Sequence, residues 1–438
     1  MNSIQFPELF RKFLFELEPV FTKPSFKYFQ TLVLGILLGR PKKTVTAAVK
    51  LSKLHQHFSN VNRFVSAYAW NPWELGMAVI KLVIKTLNLS NKTLTIAIDS
   101  TLLSKFGSKI FGCGFHFNSD QKKNCSKYIW GHEWLVMGLL YYSPLFNKRI
   151  CFPFLAQLFV PKKYMPNEHI YKSSIEMVCE MLRYIQDHLK QNIILVGDGF
   201  FAKRKLLRTC IELSIPLISR LQSNAGLYAK PALAIKRRGR PPRFGEKLPS
   251  LGQLAKTKYG FCEYDLKLYG KKRHIRVKRV EAIWKPAGQL IQILVVYYSH
   301  QSKPAFFFST DLSLSVRDIL TRVAARWSLE NIFKDLKEQL GWSDWQCRVE
   351  KAVCRSATLT CSAASLLTLW SLQQASQRQP EFCDPLPWYT HKVNPSMKDM
   401  IEQLRARILD HSFYVVEHQC KTMAEKERVI RTIFNLAA

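Results

Sequence analysis

Acidic residues are scarce in this 438-residue chain: 32 Asp and Glu stand against 65 Lys and Arg, leaving a formal net charge of +33. A compact fold carrying that surplus repels itself unless a polyanion offsets it, so nucleic acid is the first partner to consider. Glycine (18) and proline (20) are too few for a low-complexity or collagen-like chain. CxxC pairs are absent, and the odd number of cysteines, 11, is scattered from Cys113 to Cys420. That pattern excludes a disulfide framework and points to a reducing, intracellular setting. The N-terminal stretch mixes Glu, Lys and Arg into its apolar residues and has no cleavage signal, so it does not read as a signal peptide. The longest uncharged run, Ser356 to Gln377, could span a bilayer by length. Its repeated Ser, Thr and Gln make it a buried helix instead, and no membrane partner is expected.

What is present is an ordinary folding balance, 47% hydrophobic and 22% charged, in a chain too long for a single core. Apolar residues recur at helical spacing through residues 1–90, with breaks near Pro24, Pro41 and Pro72. Within this segment, His55, His57, Asn60, Asn62 and Arg63 suit either a small helical DNA-binding unit or a plain helical cap. From residue 91 the texture changes to strands alternating with helices (TLTIAID, WLVMGLLYY, RICFPFLAQLFV, then an amphipathic helix and NIILVGD), which implies an α/β core with a parallel crossover. This core runs over 91–221. Residues 222–300 differ in composition: between Lys230 and Lys285 there are 17 Lys or Arg and four acidic residues, in strand-like alternation. We read this as a basic β-rich insertion. The core resumes over 301–375, where Ser315 to Asp318 form a capping-box signature opening a long helix that Gly341 stops. A helical C-terminal region, 376–438, follows.

Three carboxylates stand out. Asp99 and Asp198 end the apolar strands TIAI and IILVG, where a side chain reaches a sheet rim and convergent residues can meet. Glu330 lies on the long helix, sharing a face with Arg326, Phe333, Lys334 and Lys337. Singly, each has a bland explanation: strands often end in Asp at turns, and a helix carboxylate among cations is a salt-bridge ladder. Together, three carboxylates on one rim can hold two Mg²⁺ ions roughly 3.5–4 Å apart, the arrangement that cleaves phosphodiesters. Neighbouring Lys and Arg would then neutralise the flanking phosphates.

The text ARWSLENIFKDLKEQLG resembles the signature helix of the DDE insertion-sequence transposases, in which Tyr, Arg, Glu and Lys are separated by two, three and six residues. Arg326, Glu330 and Lys337 match; the tyrosine position falls on Val323. IAIDST, VGDGFFAKR, FFFSTDLSLS and GHEW around His132 are similar to the same family, in its branch with a β-rich insertion between the second Asp and the Glu. The resemblance implies a ribonuclease-H-like catalytic core, with Asp99, Asp198 and Glu330 as catalytic residues and metal ligands for two Mg²⁺ ions, Mn²⁺ being able to substitute. It also implies double-stranded DNA as partner, both terminal inverted repeats and target, cleavage followed by strand transfer, a homodimer in the synaptic complex, and a bacterial cytoplasmic, nucleoid-associated setting. The rival reading is a catalytically inactive, transposase-derived DNA-binding protein. A nuclease sharing the core would lack a reason for the basic insertion.

Arg237, Arg238, Arg240 and Arg243 surround an Arg-Gly-Arg-Pro text similar to minor-groove hooks; a solvated loop on phosphates is the alternative, and both touch DNA. Trp284 could stack on a base or simply pack. Cys113, His116, Cys125 and His132 lack the compact second pair of a zinc site. Cys347, Cys354 and Cys361 recur every seven residues and are expected along one helix face as small core residues.

Overall fold

The computed structural model of the protein describes residues 6–418 apart from 41, 53–56, 119–125, 232–241, 258, 300–302, 378–391 and 393, together with 422, 423, 425–427 and 430. The protein is a mixed α/β fold with many helices and a large, mostly antiparallel sheet. Helices α1 (Glu8–Phe15), α2 (Lys23–Leu38), α3 (Val45–Ser52), α4 (Phe58–Ser66) and α5 (Pro72–Thr86) come first. Strands β1 (Leu94–Ser104), β2 (Gly114–Phe117), β3 (Tyr128–Ser143) and β4 (Lys148–Phe159) follow, then α6 (Ser174–Leu189), β5 (Ile193–Gly197), α7 (Arg204–Glu212) and β6 (Leu217–Arg220). The basic segment holds β7 (Leu227–Tyr228), α8 (Leu251–Lys256), β8 (Cys262–Leu268), β9 (Lys271–Trp284) and β10 (Gln289–Tyr298). After β11 (Ala305–Ser309) come α9 (Val316–Glu338), α10 (Glu350–Gln377) and α11 (Met397–His418).

Two compact units divide these elements. One contains Met1–Ser90, Ser100–Tyr171 and Asn331–Ala438; the other contains Asn91–Asp99 and Lys172–Glu330. In the first, β4 pairs antiparallel with β3, and α10 packs on β4, α5, α2 and α4. Helix α10 is long and apolar enough to cross a membrane, yet 94% of its most apolar stretch is buried inside the protein, so its apolar surface has protein partners. The N-terminal helices are tied to it by a buried cation. The Arg355 guanidinium donates to the carbonyls of Val65, Tyr68 and Trp70 at 3.1, 2.6 and 2.6 Å and lies over the Trp70 ring.

In the second unit β1, β5 and β6 are parallel neighbours, and β11, β10 and β9 continue the sheet antiparallel, with β7 and β8 both on β9. The strands alternate strictly. Ile194 and Val196, Ile275 and Val277, Leu294 and Val296, Ala305 and Phe307 all sit two apart and turn to one face. Onto that face packs the start of α9 through Val316, Ile319, Leu320, Val323 and Ala324, a stripe at helical spacing. Ser315 caps α9 as its text foretells, its hydroxyl accepting from the Asp318 N–H at 3.1 Å.

Two readings change. Asp99 does not end a strand, because β1 continues to Ser104; what ends beside Asp99 is its pairing with β5. Cys347 precedes α10, which starts at Glu350, so only Cys354 and Cys361 lie on that helix; the loop before it breaks the seven-residue pattern. Trp284 is buried against Phe308, a packed tryptophan. The Arg237, Arg238 and Arg240 hook and Cys125 lie outside the described residues.

Candidate active site

The register of two parallel strands places the aspartates. In the β1–β5 pair the last matched residues are Ile98 and Gly197, so Asp99 and Asp198 take the next step on adjacent strands, about 5 Å apart in the backbone. Gly197 fits closely there: a Cβ would meet Ile98 and Phe201 at 3.2 Å, so a larger residue would have to push those neighbours by a few tenths of an ångström. Asp198 has an extended backbone and caps the short turn after β5, its carboxylate accepting from the Phe200 N–H at 2.9 Å. The Ser219 hydroxyl donates to its carbonyl at 2.6 Å, which fixes the turn against β6.

Helix α9 supplies the third carboxylate. Thr95 and Asp99 share one face of β1 by strand periodicity, and α9 meets that face one turn at a time. The Arg322 guanidinium donates to the Thr95 hydroxyl at 3.3 Å, and Arg326, one turn on, donates to the Asp99 carboxylate. The same Arg326 donates to Glu330 at 2.7 Å. Its side chain is 17% exposed, with Asp99 at 15% and Glu330 at 31%, so the cluster is shielded but open to a substrate. Burial alone would lower the guanidinium's pKa; the charges of Asp99, Glu330 and Asp198 outweigh it and hold the value above the ordinary one. Two of the carboxylates therefore hold the Arg326 cation directly, and the third acts on it through its charge.

Among the described residues, no three carboxylate, imidazole or thiol side chains close on one point as they stand. Arg326 occupies the space between Asp99 and Glu330. The donor set is nevertheless all oxygen and already holds a positive charge, which suits a hard divalent cation. Of the other cations anticipated on this helix, Lys334 pairs with Glu338 at 3.9 Å rather than with Glu330, and Lys337 lies almost two turns beyond Glu330. Arg243 is exposed in the segment before α8. His132 belongs elsewhere: it is buried and donates from Nε2 to the Phe111 carbonyl at 2.9 Å, a structural role.

Beside Asp198 the structure opens a cavity of about 450 Å³ that no sequence pattern announces. Its floor includes Val196 and Phe307, and its cations are Arg220, Arg273 and Arg326. Two phenols, Tyr269 and Tyr298, line it as well. Desolvation raises both above the usual tyrosine value, Tyr298 to about 12, so both stay protonated near neutrality. These residues come from β6, the β8–β9 turn, β9, β10 and α9, and only strand pairing and the packing of α9 bring them together. The lone sequence hint is Tyr269-Gly270 between two basic strands.

Comparison with curated proteins finds no match. Two family models do match. A transposase DDE domain corresponds to residues 171–366, which include the second aspartate, the basic insertion and the glutamate helix. A DDE superfamily endonuclease corresponds to residues 16–263, more than half of the chain and inclusive of both aspartates. With both aspartates in register, the glutamate joined to the first of them through one arginine, and matches over these spans, the chain belongs to the DDE superfamily of endonucleases, in its transposase class.

Proposed function

We propose that the protein binds the ends of its own mobile element, cleaves the DNA there with Asp99, Asp198 and Glu330 as metal ligands, and joins the freed 3′-hydroxyl to target DNA. The observation that carries this reading is the Arg326 cation held among the carboxylates. A site that stabilises one positive charge in that position can stabilise another. The three carboxylates would hold two Mg²⁺ ions, or Mn²⁺ in their place, which when bound neutralise the scissile phosphate and activate the attacking oxygen.

The chain's own residues do the rest. Asp99 and Asp198 are fixed by strand register and Glu330 by α9, so the ligands are preorganised on rigid elements. Arg326 can exchange a carboxylate for a phosphate oxygen without leaving its place. Lys334 and Lys337, further along α9, would neutralise phosphates flanking the cut. In cleavage a water oxygen forms the new bond to phosphorus and the 3′-oxygen leaves. In transfer that 3′-oxygen attacks a target phosphodiester and the target's own 3′-oxygen leaves. Both steps are in-line displacements, so one site serves both.

The same reading takes 91–221 and 301–375 as a ribonuclease-H-like core, 222–300 as the basic insertion, 1–90 as a DNA-binding region and 376–438 as a helical tail. Pairing two element ends calls for a homodimer, working in the cytoplasm on the nucleoid. Asp198→Asn tests it. The change keeps the side chain's shape and removes one ligand charge, so nicking of duplex from the gene's own flanks with Mg²⁺ should fall at least about 100-fold while binding without metal persists. Wild-type protein that binds those ends tightly but nicks them with neither Mg²⁺ nor Mn²⁺ would favour the inactive DNA-binding reading.

A further inference from the structure

No carboxylate is among the described residues that line the cavity beside Asp198, yet its chemistry is specific. Arg220 ends β6 and is exposed, and among the described residues no carboxylate lies within ion-pair distance of it. Its Cβ stands 3.6 Å from where a side chain on Gly199 would begin, which sets it against the turn that carries Asp198. Arg273 lies over the Tyr269 ring, its guanidinium carbon 5.8 Å from the centroid. Arg220 and Arg273, beside an Arg326 already held by Asp99 and Glu330, give the cavity a positive lining that suits an anion.

Tyr269 itself is in an unfavourable place. It has φ +53° and Gly270 has φ +78°, a two-residue hairpin turn with both residues left-handed. Asn or Asp before Gly suits such a turn, whereas a tyrosine there carries a conformational cost. The turn nevertheless delivers a phenol to the cavity that Val323 of α9, which has no hydroxyl to offer, also lines. The high pKa of this phenol leaves it a hydrogen-bond donor under working conditions.

We propose that this cavity is the seat of a DNA backbone phosphate adjacent to the scissile one, held by Arg220 and Arg273 with a hydrogen bond from the Tyr269 hydroxyl. The basic hairpin β8–β9 thereby positions the strand for the carboxylates, and Tyr269 is a positioning residue. This rests on the transposase reading above.

The test uses the full chain and duplex from the gene's own flanks, with binding measured without divalent ions and nicking with Mg²⁺. Tyr269→Phe keeps the ring and loses the hydroxyl; it should weaken binding about tenfold, the worth of a hydrogen bond to a charged group. Tyr269→Asn suits the turn better, so it should melt no lower than wild type and bind as weakly as Tyr269→Phe. Arg273→Gln and Arg220→Gln should each lower the salt slope of binding by about one. A single methylphosphonate placed next to the nicked bond should weaken wild-type binding and weaken that of Arg273→Gln less, because only the Arg220 and Tyr269 contacts remain to be lost. Wild-type protein that binds and nicks the duplex, with both Tyr269 variants matching it in affinity and rate, overturns the inference alone. Wild-type protein that neither binds nor nicks the duplex overturns the transposase reading, and the phosphate seat with it.

Discussion

Ile98 stands opposite Gly197 across two parallel strands, and an aspartate follows each. Those aspartates are 99 residues apart in the chain, and strands β2, β3 and β4, helix α6 and their loops intervene. Parallel pairing brings them together because matched residues in adjacent strands lie about 5 Å apart whatever the length of the crossover. Glu330 needs a different device. It is reached through Arg326, which one helical turn earlier meets Asp99.

Replacing Arg326 with Met removes the cation from between two carboxylates. Without metal, the variant should be less stable by about 2 kcal/mol, because like charges then face each other in a partly buried site. Adding Mn²⁺ should raise its melting temperature more than it raises that of wild type. Equal rises in the two proteins would mean that guanidinium and metal do not share the site.

Arg237, Arg238 and Arg240 should contribute affinity and no chemistry. Changing all three to Ala should weaken DNA binding and flatten its salt dependence by roughly one unit for each phosphate no longer neutralised, while nicking at saturating protein survives better than binding does. An unchanged salt slope would mean that these three arginines do not contact DNA.

His132 gives the fold an acid sensitivity. Burial lowers its pKa from 6.5 to about 4, so the folded protein takes up this proton less readily than the unfolded chain. The contribution is intact above pH 6.5 and is lost progressively as pH falls from there toward 4, reaching on the order of 3 kcal/mol. Between pH 7 and 5, the fall in urea stability of His132→Asn should be smaller than that of wild type by about 2 kcal/mol. Parallel curves would assign the acid sensitivity to other groups.

Arg355→Met should destabilise the unit that contains it by about 3 kcal/mol or more, since it leaves the carbonyls of Val65, Tyr68 and Trp70 buried without a donor. Arg355→Lys should recover only part, because an ammonium lacks the planar fork that reaches all of them. Denaturant midpoints for the three proteins check the order.

Much of the candidate trio is legible without coordinates. Apolar strands ending in Asp, and a long capped helix with Arg326 and Glu330 one turn apart, are local patterns, and periodicity of 2 or 3.6 residues is written directly in the order of side chains. The boundary at Asp99 misleads for the same reason: apolar alternation weakens at Asp99, but β1 runs on to Ser104 because pairing, not hydropathy, decides where a strand stops. The Arg326 link between Asp99 and Glu330 is half visible. Its helical spacing to Glu330 is local, whereas its reach to Asp99 depends on how α9 lies along β1. Nothing local marks Arg220, Tyr269 and Arg273. They come from two separate places in the chain, β6 and the β8–β9 hairpin, and meet because β11 pairs with β6 and β10 while β9 folds back on β10 and β8. Charge and periodicity belong to residues and their near neighbours, so they can be read in order along the chain. A cavity belongs to residues distant in sequence, and strand pairing and helix packing alone decide which of them share it.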